Sequence, residues 1–283
     1  MSQYYQISLA RRLLPLLLAP IVWASFISPV AADAALTKAI ASPERSAKFS
    51  ARDGSRHPAA ELTFFGLKPN MTVVEIWPGE GYWTEILAPY LRAKGQYIAA
   101  LPPLQRSNGE PNKMSADFLA DVHARAAFWG PIKTGWLGAG TIELAPKDSV
   151  DLIVTFRNLH NWMGAGTTET VLAAFYAALK PGGILGIEDH RARADQPQDP
   201  KAKNGYVRED YTIALVEKAG FRLVGKSEIN ANPKDTKDWS EGVWTLPPVL
   251  TLGEKDRAKY QAIGEADNYV LKFAKPRRAG TVK

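Results

Sequence analysis

An α/β fold with a doubly wound, mostly parallel sheet is predicted for this 283-residue chain by three observations. The first is the stretch 71–83, MTVVEIWPGEGYW, where Val73, Val74 and Ile76 form a short β-branched apolar run suited to a strand buried on both faces. The second is a turn and a helical pattern directly after that run. The strand stops at Trp77-Pro78-Gly79-Glu80-Gly81, and Tyr82, Trp83, Ile86, Leu87, Tyr90 and Leu91 then recur at helical spacing, which places the glycines in a strand-to-helix turn. The third is a further helix-to-strand unit, in which a helical pattern over 168–179 is stopped by Lys180-Pro181-Gly182-Gly183 before the strand 184–187.

At 46% hydrophobic and 23% charged residues, the composition is that of a folded chain rather than a disordered one. The first 34 residues carry Arg11-Arg12, an uncharged stretch interrupted by Pro15, Pro20 and Pro29, and then Ala32-Asp33-Ala34. This order matches a secretory signal peptide cut after Ala34, and predicts a periplasmic or secreted protein with no stable membrane insertion after cleavage. Removal would leave 33 basic and 28 acidic residues, a modest +5. The clustered basic residues are confined to a tail at 276–283 and its neighbour Lys275, so no nucleic-acid partner is expected. The absence of cysteine excludes disulfides, thiol catalysis and cysteine-based zinc sites.

Residues 35–66 read as a polar, helix-rich lead-in that packs on the domain, with Gly66 as a helix C-cap. Residues 96–101 read as the second strand. A helical pattern occupies 115–128, and a glycine-rich loop at 130–140 leads to a candidate third strand at 141–144. The fourth strand is 151–156, and Arg157, Asn158, His160, Asn161 and Trp162 crowd the positions after it. Glu188, Asp189, His190 and Arg191 form a second polar cluster after the fifth strand. In open α/β sheets ligands sit beyond the carboxyl ends of the strands, so both clusters are candidates for a site beside the glycine turn. A helix at 208–219, a strand at 221–229, an insertion at 230–267 and a last strand at 268–274 complete the chain.

The turn does not fit a dinucleotide, because Thr84 replaces the third glycine and Glu80 would face a pyrophosphate; nor does a Walker lysine follow it. Glu75, Gly79, Gly81, Tyr82 and Thr84 together resemble the first motif of the class I S-adenosylmethionine-dependent methyltransferases, and 179–183 (LKPGG) is similar to a phrase of the same family. The phrases EIWPGEGYWTEILAPYL and TFRNLHNWM look like those of an exported bacterial group of predicted methyltransferases. The resemblance covers about residues 55–275. It implies a Rossmann-like, seven-stranded sheet with an antiparallel last strand over 67–275, and S-adenosyl-L-methionine as cofactor.

On that resemblance Glu75, Trp77, Pro78, Gly79, Gly81, Leu101 and Asn158 are the cofactor-binding candidates. Two positions depart from the family pattern: Trp77 stands where the first glycine is usual, and Leu101 where an acid usually holds the ribose, with Glu110 as a substitute acceptor and Asp148 or Asp151 for the adenine amine. Methyl transfer to a small acceptor assigns His160 as first-choice general base, His190 as second, and Asn161 beside them. Arg157, Arg191 and Arg208 are candidate acceptor clamps, with Trp162 and Glu188 completing the acceptor side. The histidines lack metal-ligand spacing and no metal is expected, although folding can bring His160 and His190 together with Glu188. The alternative reading is an exported protein that keeps the fold and pocket but binds a ligand without transferring a methyl group.

Overall fold

The computed structural model describes residues 33–106, 108–138 and 140–277. Nearly all of the signal-peptide stretch (1–32) and most of the basic tail (278–283) lie outside the described residues. No described helix is long and apolar enough to cross a membrane.

The lead-in forms four short helices, α1 (Ala34–Ile40), α2 (Ala47–Ser50), α3 (Asp53–Arg56) and α4 (Pro58–Phe65). Gly66 closes α4 at φ 82°, the left-handed C-cap that its position predicts. Next come β1 (Thr72–Ile76), α5 (Thr84–Leu91), β2 (Gln96–Leu101), α6 (Lys113–Ala124) and α7 (Ala126–Trp129). The middle of the chain supplies β3 (Lys133–Gly138), β4 (Thr141–Glu143), β5 (Val150–Phe156), α8 (Leu159–Ala165) and α9 (Thr168–Ala178). The rest is β6 (Leu179–His190), α10 (Glu209–Lys218), β7 (Arg222–Ser227), α11 (Arg257–Ile263) and β8 (Asn268–Ala274).

The strands make one sheet of order β4-β3-β2-β1-β5-β6-β8-β7. The central pairs are parallel, and β8 inserts antiparallel between β6 and β7. The sheet has eight strands rather than seven. The third parallel strand is β3, inside the stretch whose sequence reads as a glycine-rich loop, and the expected third strand is β4, a short antiparallel edge on it.

Strand periodicity explains the two layers of helices. Val74, Ile98 and Ile153 face a core built with α8, α9 and α10, whereas their neighbours Val73, Ala99, Leu152 and Val154 face one built with α1, α4, α5 and α6. The insertion shares a small core with the loop before α10, around Tyr206, Val243, Leu246 and Tyr260. Trp239 and Trp244 pack there rather than over the sheet.

The lead-in is fastened by polar contacts. Ser46 donates from its backbone N–H and hydroxyl to Glu85 of α5 at 2.8 and 2.6 Å, and Arg125 pairs with the same carboxylate. Arg45 and Tyr82 both donate to Asp53.

Candidate active site

β1 and β5 are neighbours whose following helices, α5 and α8, lie on opposite faces of the sheet, so a crevice opens past their carboxyl ends. A cleft of about 1570 Å³ occupies it. That exceeds the roughly 300–1,000 Å³ of an ordinary small-molecule site and leaves room for two ligands side by side.

One wall is the turn after β1. Glu75 is buried and accepts hydrogen bonds from the Tyr97 hydroxyl at 2.6 Å and from Thr84 Oγ1 at 3.2 Å. Burial pushes its carboxyl up to about 7 despite both bonds. Trp77 has φ 49°, the left-handed region that favours glycine, so it keeps the backbone path of the glycine it replaces. Its indole turns away to donate to the Leu137 carbonyl at 2.8 Å and to meet Trp162 edge-on. Gly79, at φ 61°, lines the cleft, and a Cβ built there would have no neighbour within 4 Å. Gly81 shapes the turn at φ 93° but lies off the cleft.

The opposite wall begins where β5 ends. Arg157 has φ 62°, a second non-glycine residue in left-handed backbone at the crevice. Asn158 lines the cleft and donates Nδ2 to the Ile76 carbonyl at 3.0 Å, bracing the glycine turn against β5. Asn161 also lines it. Trp83 and Phe156 stack with ring centroids 4.0 Å apart on the cleft surface.

Of the sequence-derived candidates, Glu75, Trp77, Pro78, Gly79, Arg157, Asn158 and Asn161 are therefore brought together. The others are set apart. Leu101 is buried in the core behind β2, so the missing ribose acid is replaced by nothing at that position. Glu110, Asp148 and Asp151 are also off the cleft, whereas Gln105 and Asn112, from the loop after β2, line it.

His160 and His190 do meet, with rings 5.4 Å apart, but behind the cleft wall and against Asp189 rather than Glu188. Asp189 accepts from the backbone N–H of both histidines and pairs with His160 Nδ1 at 2.9 Å. Burial would raise Asp189, yet His160 holds it below the usual carboxylate range. Burial drives His190 down to about 3, and its Nδ1 pairs with Asn268 Oδ1 at 2.7 Å. The three side chains offer ligand atoms within 4.8 Å of one another, with Nδ1 of each histidine bonded to a protein partner. Neither histidine is among the residues that line the cleft.

The acceptor-side candidates divide in the same way. Trp162 is fully buried against Trp77 and Phe175. Glu188 is buried beneath Arg157. Arg191 is consumed by Glu209, Glu228 and Asp267, and Arg208 by Asp210 at the start of α10.

Sequence reading favoured a packing role for the lead-in, whereas the structure makes it a wall of the site. Lys48, Phe49, Arg52 and Arg56 line the cleft, as do Pro248 and Val249 of the insertion. The only local signal was the density of arginines, Arg45, Arg52 and Arg56 within one polar segment.

No protein-family model matches the chain, and no curated sequence does. Solved structures do. A SAM-dependent methyltransferase from Aquifex aeolicus is similar with a TM-score of 0.54 at 18% identity, over 80% of this chain and 93% of that one. The cyclase SpnF is similar at 0.53 and 15%, over 79% and 81%. Phosphoethanolamine N-methyltransferase 2 of Haemonchus contortus, in complex with S-adenosyl-L-methionine, is similar at 0.52 and 18%, over 77% and 52%. The fold is that of the class I methyltransferases. Because one of these similar structures is a cyclase, the methyltransferase fold alone does not specify a reaction here.

Proposed function

We propose that the chain binds S-adenosylmethionine at the turn after β1 and transfers its methyl group to a small acceptor held in the same cleft. The observation that carries this is the turn itself. Gly79 presents open backbone to a crevice between β1 and β5, Trp77 keeps the glycine-like path, and Glu75 locks the strand end from beneath. This cradle fits the adenosyl cofactor's need for close backbone approach. Glu75, Trp77, Pro78 and Gly79 would hold it with Asn158 bracing the turn, and Gln105 and Asn112 would take the ribose hydroxyls in place of the acid that Leu101 displaces.

When bound, the cofactor supplies an electrophilic methyl group on a sulfonium. The chain's task is then to position the acceptor and exclude water. The described residues lining the cleft include no histidine, and Glu80 is paired with Lys48.

Calorimetric titration of the purified chain with S-adenosylmethionine and S-adenosylhomocysteine tests the reading, and no binding at millimolar cofactor would refute it. The buried Leu101 favours one second reading, a cleft that binds another ligand without methyl transfer, and the same titration separates the two. We further place the mature protein outside the cytoplasm, on the strength of the basic, apolar and small-residue order of its first 34 residues. Recovery of the intact N-terminus from the cytoplasmic fraction would overturn that placement.

A further inference from the structure

Arg52 and Arg56 of the lead-in and Arg157 after β5 all line the cleft and all donate to one carboxylate, Glu265, at 2.6, 3.2 and 2.8 Å. Three guanidiniums carry about fifteen N–H donors, five each. Glu265 takes three of them, and the buried Arg52 Nη2 has no hydrogen-bond partner.

Charge is unbalanced in the same direction. Glu188 stands behind Arg157 at 3.7 Å, and beyond it Glu61 shares the Asn230 amide. Burial first, then the charge of Glu188, pushes Glu61 well above the usual carboxylate range. Among the described residues, the carboxylates in ion-pair contact with the three guanidiniums are Glu265 and Glu188, so three positive groups meet two acidic ones. Arg56 shows the strain of this, driven down to about 9 by burial and then by Arg157. An unmatched charge at a mostly buried site is costly unless a counter-ion completes it.

We infer that Arg52, Arg56 and Arg157 form a subsite for the carboxylate of a small organic acid, and that this acid is the acceptor. The word acceptor rests on the methyl-transfer reading above; the carboxylate subsite does not. A single negative charge closes the imbalance, which favours a carboxylate over a phosphate dianion, and the planar guanidinium fork matches carboxylate geometry. The acid's body should be apolar. Met114, Ile142 and Val249 line the cleft and are exposed, and Trp83 and Phe156 present stacked rings to it.

Benzoate is the probe, with neutral benzamide as control, titrated into the full purified chain. Benzoate should bind at least about tenfold more tightly than benzamide. Arg52→Gln should abolish that preference, and Arg52→Lys, which keeps the charge and loses the fork, should fall between them; circular dichroism verifies the fold of each. Equal affinity for the two probes, no benzoate binding at millimolar concentration, or unchanged benzoate binding by folded Arg52→Gln would each overturn the subsite.

The source of the carboxylate is read separately. If Arg52→Gln weakens S-adenosylhomocysteine by about tenfold while methylthioadenosine, which lacks the amino-acid end, is unaffected, the arginines hold the cofactor and the acceptor assignment is overturned. Unchanged affinity for both adenosyl compounds upholds it. If benzoate binds and no adenosyl compound does, the methyl-transfer reading and the acceptor role fail together while the carboxylate subsite stands.

Discussion

The Tyr97 hydroxyl of β2 reaches across the sheet to donate to Glu75 of β1 at 2.6 Å, beneath the turn that lines the cleft. Glu75 is so buried that its carboxyl rises from the ordinary 4.5 to about 7. Between those values the folded chain holds a proton that the unfolded chain has released, so stability falls as pH rises through the window. The contribution is on the order of 3 kcal/mol. Glu75→Gln should flatten this slope between pH 4.5 and 7 in urea unfolding, and an unaltered slope would show that Glu75 is not its source.

Glu265 has the opposite sign. Burial alone would raise it, but Arg157, Arg56 and Arg52 bring it down to about 2. Its stabilisation is present above 4.5 and is lost as pH falls from there through 2. Glu265→Ala should cost roughly 3–5 kcal/mol at neutral pH, because three mostly buried guanidiniums lose their shared partner. A loss below about 1 kcal/mol, the range of surface pairs, would mean that solvent already neutralises them.

The two glycines of the turn should separate binding from folding. Gly79→Val places a side chain in open cleft and should lower S-adenosylhomocysteine affinity per folded molecule by about tenfold or more, in addition to the backbone strain that φ 61° imposes on valine. Gly81→Val, off the cleft at φ 93°, should cost about 1–3 kcal/mol of stability through backbone strain. The folded fraction of that second variant should bind as the parent does. The reverse pattern in titration and melting would move the site to Gly81.

Much of the fold is legible in the sequence because strands buried on both faces announce themselves. The second strand, 96–101, and the last, 268–274, match their sequence boundaries to the residue. β3 does not, since KTGWLG carries two glycines and few apolar residues and owes its place to pairing with β2. The site is half legible. The glycine turn and Asn158 act through local geometry that sequence displays. Arg52 and Arg56 act through Glu265, and no local pattern reveals a partner so distant. His160 lies in the right segment, but α8 turns its ring inward.

His160→Ala should therefore behave as a structural change. It removes a buried partner of Asp189 and should cost on the order of 1–3 kcal/mol in unfolding experiments. Methyl transfer per folded molecule, once an acceptor is in hand, should keep its pH profile. Loss of a basic limb near the histidine range would return His160 to catalysis.

The cap of α1 bears on the proposed N-terminal cut. Asp33 accepts the Ala35 N–H at 2.8 Å and the Tyr90 hydroxyl at 2.7 Å. The proposed cut after Ala34 would discard this cap, so a chain starting at Ala35 should melt below one starting at Asp33. Equal melting would show that the cap is dispensable.

The pairing of Arg52 with Glu265 spans 213 residues. Contacts of such separation are slow to gain, because the entropy of closing the loop is lost before they reward it. A polypeptide delivered from its N-terminus presents Arg52 early and Glu265 near the end, so this pairing waits until most of the domain has emerged. Until then three arginines stand without their shared carboxylate. A chain cut before Glu265 would never acquire that carboxylate and would also lack β8, the strand inserted between β6 and β7.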